Sequence, residues 1–574
     1  MGRLAPGHRR PAGAALVRNP PSAAIGKCTT LRALLKRVGW GHPVVGHRFC
    51  PCGSIGLQTT PDQPRTLRPI PHHVRIHAEP EPRMRLGELL IAAGLASREQ
   101  VAAALARQAD SGQKLGESLV AVGAMSPQAL ERFLQRVPAE PESLADTHIE
   151  PPVLLDLMIK LIYVERLETV SQIAEAIRLP LHLVAELAAM GVGRGLLQSL
   201  GERDRAMRYG MTDTGARAAQ DALEQSRYAG PAPVALDDFT RLVRAQAISL
   251  GAVTLDTIRD AFGGLVVTEQ FLEQIGPALN SGRAMLLYGP PGNGKTSVAH
   301  CISRIFNDVV HIPHAVLVGG NIIRVFDPNL HVCPQAPADD AQAARLSLRR
   351  AEAADPRWVA CVRPVIVAGG ELTLEMLDLQ FNAVANFYEA PLHVKALGGC
   401  FVIDDFGRQL VPPASLLNRW IVPLENRIDY LTLHTGQSFA IPFEELLIFS
   451  TNLHPEDLMD PAFLRRLPYK FEIGAPDPAS YRSIFERVCR QENIALTDEI
   501  FDSIVHRITA IRHLGLAAYH PRFIVDQIVA TCRFLQQPAH FEQRFIDYAV
   551  DNLAVRRAAP LPAASDAGQH NIGD

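Results

Sequence analysis

Residues 289–296 read Gly-Pro-Pro-Gly-Asn-Gly-Lys-Thr and match the pattern G-x-x-x-x-G-K-[ST] at every fixed position. The preceding residues 284–288 have the apolar composition of a buried strand, and residues 296–302 have that of a helix start. A glycine-rich loop between a strand and a helix constrains the fold strongly, because it is typical of a strand that leads into a helix packed on a sheet. The sequence therefore predicts a mixed α/β fold around this loop.

The residues of the loop indicate a binding site for a nucleoside triphosphate. Its glycines allow backbone N–H groups to turn inward around phosphate oxygens, and a helix N-terminus adds partial positive charge there. Lys295 is placed to reach the β- and γ-phosphates of ATP, and the hydroxyl of Thr296 is placed to hold Mg²⁺. The predicted nucleotide-binding residues are Gly289, Pro290, Pro291, Gly292, Asn293, Gly294, Lys295, Thr296 and Ser297.

Two later apolar segments end in polar side chains that suit the same chemistry. Residues 400–403 predict a strand that ends at Asp404 and Asp405, and residues 446–451 predict another that ends at Asn452. Asp404 is placed to hold the Mg²⁺ shell, and Asp405 is placed to polarise the attacking water. Asn452 is the expected hydrogen-bond partner of the γ-phosphate or of that water.

Further along the chain come paired arginines after a short predicted helix, and a later arginine at the start of a helix in an all-helical C-terminal part. In this order the motifs resemble those of the AAA+ ATPases, over about residues 250–556. The resemblance implies that Asn452 is sensor 1, that Arg465 or Arg466 is an arginine finger reaching a neighbouring subunit's nucleotide, and that Arg522 is sensor 2 in a helical lid. The catalytic residues that follow from the motifs and the resemblance are Asp404, Asp405, Asn452, Arg465, Arg466 and Arg522.

One position departs from the family pattern, since most members have Glu where this chain has Asp405. The shorter side chain moves the carboxylate by roughly one C–C bond, which predicts slow hydrolysis. A predicted helix at 417–425 and a strand–turn–strand at 429–441 precede sensor 1, as in the MoxR-type and enhancer-binding branch. Residues 369–375 and 404–409 are similar to bacterial ATPases described as having chaperone activity. The resemblance implies a homo-oligomeric ring, with a hexamer as the favoured size, acting on a protein client.

Before the ATPase motifs, residues 85–134 contain two copies of one pattern, offset by 29 residues. Each copy predicts a short helix, a glycine cap at Gly94 or Gly123, a serine N-cap and a second helix. The pattern resembles the N-terminal domain of type II secretion and type IV pilus ATPases, in the form that binds cyclic di-GMP. A basic side chain beside a glycine suits a guanine edge and a phosphate, although the same framework also serves as a plain docking module. The resemblance implies cyclic di-GMP contacts at Arg85, Leu86, Gly87, Gly94, Gln108, Lys114, Leu115, Gly116 and Gly123.

Residues 153–227 predict three helices, a β-wing near residues 205–212 and a closing helix at 213–225, which resembles a winged helix-turn-helix. A helix that reads DNA presents Arg, Lys, Asn or Gln to base edges. The corresponding helix here, at 182–190, offers one His and one Glu. A structural or protein-docking role is therefore the favoured interpretation, and DNA binding stays open.

Charge and composition narrow the possible classes of protein. The net charge of −3 combines a basic segment 1–83 with a mildly acidic remainder, which disfavours a general nucleic-acid binder. The nine scattered cysteines predict reduced thiols, and the lack of a long apolar run predicts a cytoplasmic protein without a transmembrane helix. Residues 1–83 are expected to be a disordered tail or a mis-assigned start.

The predicted fold class is multidomain α/β, with an AAA+ P-loop parallel sheet and helical lid preceded by a small all-α tandem-repeat domain and a winged-helix-like domain. The predicted domains are the repeat at 84–137, the winged helix at 153–227, the ATPase core at 237–475, the lid at 476–556 and a disordered tail at 557–574.

Three functions are compatible with these features. The leading hypothesis is an ATP-hydrolysing remodelling machine, with cyclic di-GMP as a candidate regulator and pilus or secretion machinery as a candidate context. The second is a DNA-binding regulator that uses the winged helix, and the third is a nucleotide switch without motor activity. Both sensors and an arginine finger disfavour the third.

Overall fold

The computed structural model describes residues 86–203, 206–248, 253–306, 308–334 and 354–553. They form a mixed α/β structure that contains a five-stranded parallel sheet and many helices. The terminal segments predicted to be unfolded, 1–83 and 557–574, lie outside the described residues, as does Arg85.

The described part of the N-terminal repeat has the predicted arrangement of helices. Its helices are Leu86–Ala92, Arg98–Ser111, Leu115–Ala121 and Pro127–Leu134. Ser97 and Ser126 cap the second and fourth of these helices through their side chains. Gly94 and Gly123 have φ of 67° and 72°, the left-handed backbone that a glycine adopts readily just after a helix. The predicted helix, glycine, serine and helix of each copy are therefore confirmed.

The next segment has the predicted three helices and β-wing. The elements are the helices Pro151–Glu165, Val170–Ile177, Leu181–Gly193 and Asp213–Gln225, with β1 (Leu197–Arg203) and β2 (Ala206–Met211). The two strands pair antiparallel, and the helices enclose a core that includes Leu155, Ile159 and Leu187. No single helix in the described ranges is long and apolar enough to cross a membrane, whereas Val170–Ile177 and Leu181–Gly193 pass that test only as a pair bent by 109°.

The rest of the described chain contains two larger sheets. Its strands are β3 (Val234–Ala235), β4 (Met285–Tyr288), β5 (Val309–Pro313), β6 (Ala315–Val318), β7 (Asn321–Arg324), β8 (Trp358–Val362), β9 (Val365–Ala368), β10 (Gln380–Asn382), β11 (Phe387–Glu389), β12 (Cys400–Ile403), β13 (Ile428–Thr432), β14 (Ser438–Pro442), β15 (Leu446–Thr451) and β16 (Tyr469–Glu472). The α-helices are Leu236–Ala245, Leu255–Phe262, Glu269–Ser281, Lys295–Ile305, Leu392–Lys395, Pro413–Asn426, Pro455–Leu458, Pro461–Leu464, Pro478–Gln491, Asp498–His506, His520–Phe534 and Gln543–Asp551.

The parallel sheet has the strand order β16-β4-β15-β12-β9. Successive residues of its strands belong to different cores, as Leu286 and Leu447 pack on one face and Leu287 and Ile448 on the other. Both faces are covered, which explains why β4, β12 and β15 are apolar at nearly every position. The buried strands predicted before the phosphate loop, before Asp404 and before Asn452 are confirmed.

The second sheet, with the order β10-β11-β7-β6-β3, is built from short strands that lie far apart in the sequence. It shares a core with the helices of residues 151–225, because Ala315 and Ile322 belong to the same apolar cluster as those helices. The backbone N–H of Arg227 also donates to the carbonyl of Ala385 at 2.8 Å. The range 237–475 thus contains strands of two five-stranded sheets with separate cores, and the two-stranded pairs β5–β8 and β13–β14, rather than a single α/β layer.

The C-terminal part is helical, as predicted. The last four α-helices surround an apolar core that includes Tyr481, Phe485, Ile524 and Phe545.

Candidate functional site

The candidate site lies at the carboxyl edge of the parallel sheet. After β4, the next strand of this sheet along the chain is β9, which lies at one edge. After β15, the chain crosses to β16, which lies on the other side of β4 at the opposite edge. Ligands of open α/β sheets bind outside the carboxyl ends of the strands at such a reversal of strand order. The predicted phosphate loop follows β4, and Asn452 follows the adjacent β15.

The loop at 289–294 depends on glycine at several positions. Gly289, Gly292 and Gly294 have φ of 137°, 79° and 93°, which L side chains rarely adopt. A Cβ on Gly289 would also lie 2.5 Å from the carbonyl oxygen of Ile473, and a Cβ on Gly292 would overlap the ring of Tyr519. The loop leads directly into the helix Lys295–Ile305, whose N-terminus provides the partial positive charge expected of an anion site.

Lys295 is a buried cation held by the loop itself. Its ammonium group donates to the carbonyl oxygens of Gly289 and Pro290, each at 2.9 Å, and the residue is only 6% exposed. Burial lowers the pKa of Lys295, while the nearby Asp404 and Asp405 act to raise it. The ammonium has carbonyls rather than a carboxylate at hydrogen-bond distance, so its charge is available to an anion.

Thr296 and Asp404 meet as the sequence predicts. The hydroxyl of Thr296 donates to Oδ2 of Asp404 at 2.8 Å, although the residues lie on different strand–helix units. A hydroxyl and a carboxylate are oxygen ligands of the kind Mg²⁺ prefers, and Mg²⁺ in nucleotide sites takes one or two protein ligands plus phosphates. Among the described residues, no cluster of three or more His, Cys, Asp or Glu side chains could hold a metal.

Asp405 is oriented by the strand on its other side. The side-chain amide of Asn452 donates to Oδ1 of Asp405 at 2.7 Å. The N–H of Phe406 donates to the carbonyl of Ser450 at 2.7 Å, which fixes the turn against β15. Asp405 itself is exposed and has φ of 48°, a left-handed conformation that is uncommon for a residue with a side chain. The structure therefore brings together Asp404, Asp405 and Asn452.

The two paired arginines differ in their surroundings. Arg466 is bound to Glu425 at 2.7 Å and donates to the carbonyl of Ala462 at 2.8 Å. Arg465 is exposed, and its side chain forms no hydrogen bond or ion pair with any part of the chain that the structure describes. Of these two arginines, Arg465 is therefore the one whose guanidinium is free to reach another molecule.

Arg522 is paired with side chains of the C-terminal part, and none of its described contacts is with the predicted phosphate loop. Its guanidinium pairs with Asp526 at 3.0 Å and with Glu492 at 3.3 Å, both within the C-terminal helices. The loop is contacted instead by Tyr519, which lies just before Arg522 in the chain. The N–H of Tyr519 donates to the Gly292 carbonyl at 2.9 Å. These contacts could not be predicted from the sequence, because no sequence motif marks a backbone N–H or an aromatic ring that contacts a loop.

A second contact between the C-terminal part and the loop involves a side chain of the loop. The N–H of Ala518 donates to Oδ1 of Asn293 at 3.1 Å. The segment 518–519 thus fastens the C-terminal helices to the loop through both backbone and side-chain atoms.

In the repeat, the structure gives packing reasons for residues that the resemblance assigns to cyclic di-GMP. Leu86 and Leu115 are core residues. A Cβ on Gly87 would lie 2.8 Å from Cγ1 of Val101. Two further members of the set, Gly116 and Gln108, also have local contacts. A Cβ on Gly116 would lie 2.9 Å from Cδ2 of Leu130, and the carbonyl of Gln108 accepts the N–H of Gly112 at 2.9 Å. Lys114 is exposed at the start of its helix.

The comparisons with known proteins concern the C-terminal helices. A family model described as a domain of unknown function (DUF8689) matches residues 477–552. No curated protein matches the chain. The matched part contains the segment 518–519 that contacts the predicted phosphate loop. It contains neither the loop itself nor the turn with Asp404 and Asp405.

Proposed function

We propose that this chain is an ATPase of the AAA+ family that hydrolyses ATP to ADP and phosphate and uses the reaction to remodel a protein client. The observation that carries the proposal is the convergence of Lys295, the Thr296–Asp404 pair and the Asp405–Asn452 pair at one edge of the parallel sheet. These groups come from three different strand ends, so a chance match to a glycine pattern does not account for their meeting.

The proposed reaction is attack of water on the γ-phosphorus of ATP. A bond forms between the water oxygen and phosphorus, the bond from phosphorus to the β-phosphate oxygen breaks, and the electron pair leaves with ADP. The Asp405 carboxylate accepts the water proton, and Asn452 holds this carboxylate in place. Lys295 stabilises negative charge on the phosphates.

Thr296 and Asp404 are the residues that would hold Mg²⁺. The ion would supply charge neutralisation on the phosphate oxygens. In the proposed account the Thr296–Asp404 contact sets the two oxygens side by side before any ion binds.

The exposed Arg465 supports assembly of the chain into a ring. An arginine finger stabilises the transition state from a neighbouring subunit, and a guanidinium without an ion pair in its own chain is available for that contact; we take this availability as the condition for the assignment. Arg465 meets this condition and Arg466 does not. The proposal therefore assigns the finger to Arg465, with a second copy of this chain as the partner.

The winged-helix segment favours protein docking over DNA reading. The exposed positions of the helix Leu181–Gly193 include Leu181, Ala185, Glu186 and Ala189. Its one candidate reader, His182, donates a hydrogen bond from Nε2 to the carbonyl of Glu142 at 2.9 Å. Such a face offers few donors to base edges.

Mixing two inactive variants tests the proposal. Arg465→Ala keeps an intact phosphate loop, and Lys295→Ala keeps an intact Arg465, so each alone is expected to hydrolyse ATP slowly. Mixed rings bring the intact halves together at shared interfaces, and turnover is expected to return. Mixtures that stay inactive, together with a parent protein that is monomeric by light scattering in ATP, would overturn the ring and the finger.

A further inference from the structure

The turn that follows β12 has an unusual backbone. Asp405 and Gly407 have φ of 48° and 99°, and only the second is a glycine. A left-handed residue with a side chain persists where the surrounding structure holds it in place. The turn therefore needs contacts that fix it.

Gln409 supplies such contacts from inside the turn. Its Nε2 donates to the carbonyl oxygens of Asp404 at 3.1 Å and Asp405 at 3.4 Å, and its Oε1 accepts the N–H of Gly407 at 2.8 Å. The same Nε2 lies 3.3 Å from the carbonyl of Gly369, which follows β9. One side chain thus connects the acidic turn to the neighbouring strand end.

The pattern requires a carboxamide. A glutamine carries both a donor and an acceptor at the end of its side chain, whereas a glutamate offers only acceptors and a lysine only donors. On the β15 side the turn is already held by Ser450 and Asn452. On the β9 side, the N–H of Asp404 donates to Ala368 at 2.9 Å and Gln409 supplies the side-chain link.

We infer that Gln409 is a positioning residue that fixes the direction of the Asp405 carboxylate for hydrolysis. The inference rests on the proposed ATPase function. Gln409 bonds the carbonyls and not the carboxylates of the two aspartates, so it does not compete with water or Mg²⁺ for the carboxylate oxygens. Its loss lets the turn relax, and a displacement of about 1 Å in a catalytic group costs roughly a hundredfold in rate.

The test measures ATP turnover and ATP affinity separately in the full chain. Gln409→Met removes both hydrogen-bonding atoms at similar size, and Gln409→Glu keeps the acceptor for Gly407 but removes the donor. Both variants are expected to lower kcat by roughly a hundredfold while the Kd of a fluorescent ATP analogue stays within about twofold. Gln380→Met makes the same change at an exposed glutamine of β10 and is expected to keep the parent kcat.

The possible results separate this inference from the proposed function. A parent protein that releases phosphate, with Gln409→Met and Gln409→Glu equally active, overturns the role of Gln409 alone. A loss of ATP affinity as large as the loss of kcat also overturns it, since the residue would then support the whole site. A parent protein that releases no phosphate overturns the proposed function and this inference together.

Discussion

Glycines mark both the loop at 289–294 and the repeat at 86–137, but they serve different purposes in the two regions. In the repeat, Gly87 and Gly116 allow the next helix to pack closely, and Gly94 and Gly123 end helices. In the loop, left-handed glycines let the chain turn around a buried lysine.

The difference lies in what surrounds the glycines. At the loop, side chains from distant parts of the sequence meet, as Thr296 does with Asp404. In the repeat, the side chains of Ser97 and Ser126 cap the helices that they precede. A glycine pattern therefore indicates a ligand site only when polar groups from other segments converge on it.

The largest difference between the two regions is expected in ATP affinity when one lysine is replaced in each of them. Lys295→Ala removes the buried cation of the loop and is expected to abolish tight ATP binding, whereas Lys114→Ala removes an exposed cation of the repeat and is expected to leave it unchanged. Titration of a fluorescent ATP analogue measures both. Equal affinities in the two variants would show that the loop does not hold the phosphates.

The paired arginines are expected to differ in their effect on turnover, because Arg466 is bound to Glu425 and Arg465 is not paired within the described part of the chain. Arg465→Ala is expected to lower kcat by roughly 10³-fold with ATP affinity intact, because a finger acts only in the transition state. Arg466→Ala breaks the contact with Glu425 and is expected to keep most of the turnover. Steady-state phosphate release decides between them, and the reverse ranking would assign the finger to Arg466.

Asp405 is expected to show the next largest effect. Asp405→Asn removes the proton acceptor and should slow turnover by roughly 10²-fold while ATP still binds. Asp457→Asn, at an exposed position in the helix Pro455–Leu458, is the matched control and is expected to behave as the parent. Unchanged turnover in Asp405→Asn would remove its role as general base.

In the repeat, the expected effect is on stability. Gly87→Ala places a Cβ against Val101 and should lower the free energy of unfolding by about 1–3 kcal/mol, as overpacking does. Adding Val101→Ala makes room for the new methyl group and should recover part of the loss. Thermal denaturation of the full chain measures both, and an unchanged midpoint in Gly87→Ala would contradict the packing role.

The smallest expected effect is the response to cyclic di-GMP. Val101 and Leu130 cover the backbone at Gly87 and Gly116, so we expect no heat when the full chain is titrated with this ligand by calorimetry. A micromolar affinity that Lys114→Ala abolishes would contradict this expectation and support cyclic di-GMP as a regulator.

The sequence predicts the local elements well, because their signals are local. The helix Asp213–Gln225 begins and ends where the pattern places it. The contacts of Thr296 with Asp404 and of Asn452 with Asp405 also follow from strand ends that a parallel sheet brings together.

What the sequence does not reveal depends on packing between distant segments. The second sheet joins β3, β6 and β10, which are two to four residues long and have no pattern of their own. The direction of Arg522 follows from its neighbours Glu492 and Asp526, which no motif marks. The contacts of Gln409 are likewise set by a turn geometry that a sequence does not display.

The most direct test of the central claim is phosphate release from ATP and Mg²⁺ by the full chain, measured beside Lys295→Ala. The account predicts slow, Mg²⁺-dependent release by the parent protein and none above background by the variant, because only the parent retains the buried cation of the loop. Release that persists in Lys295→Ala, or a folded parent protein that releases no phosphate, would contradict it.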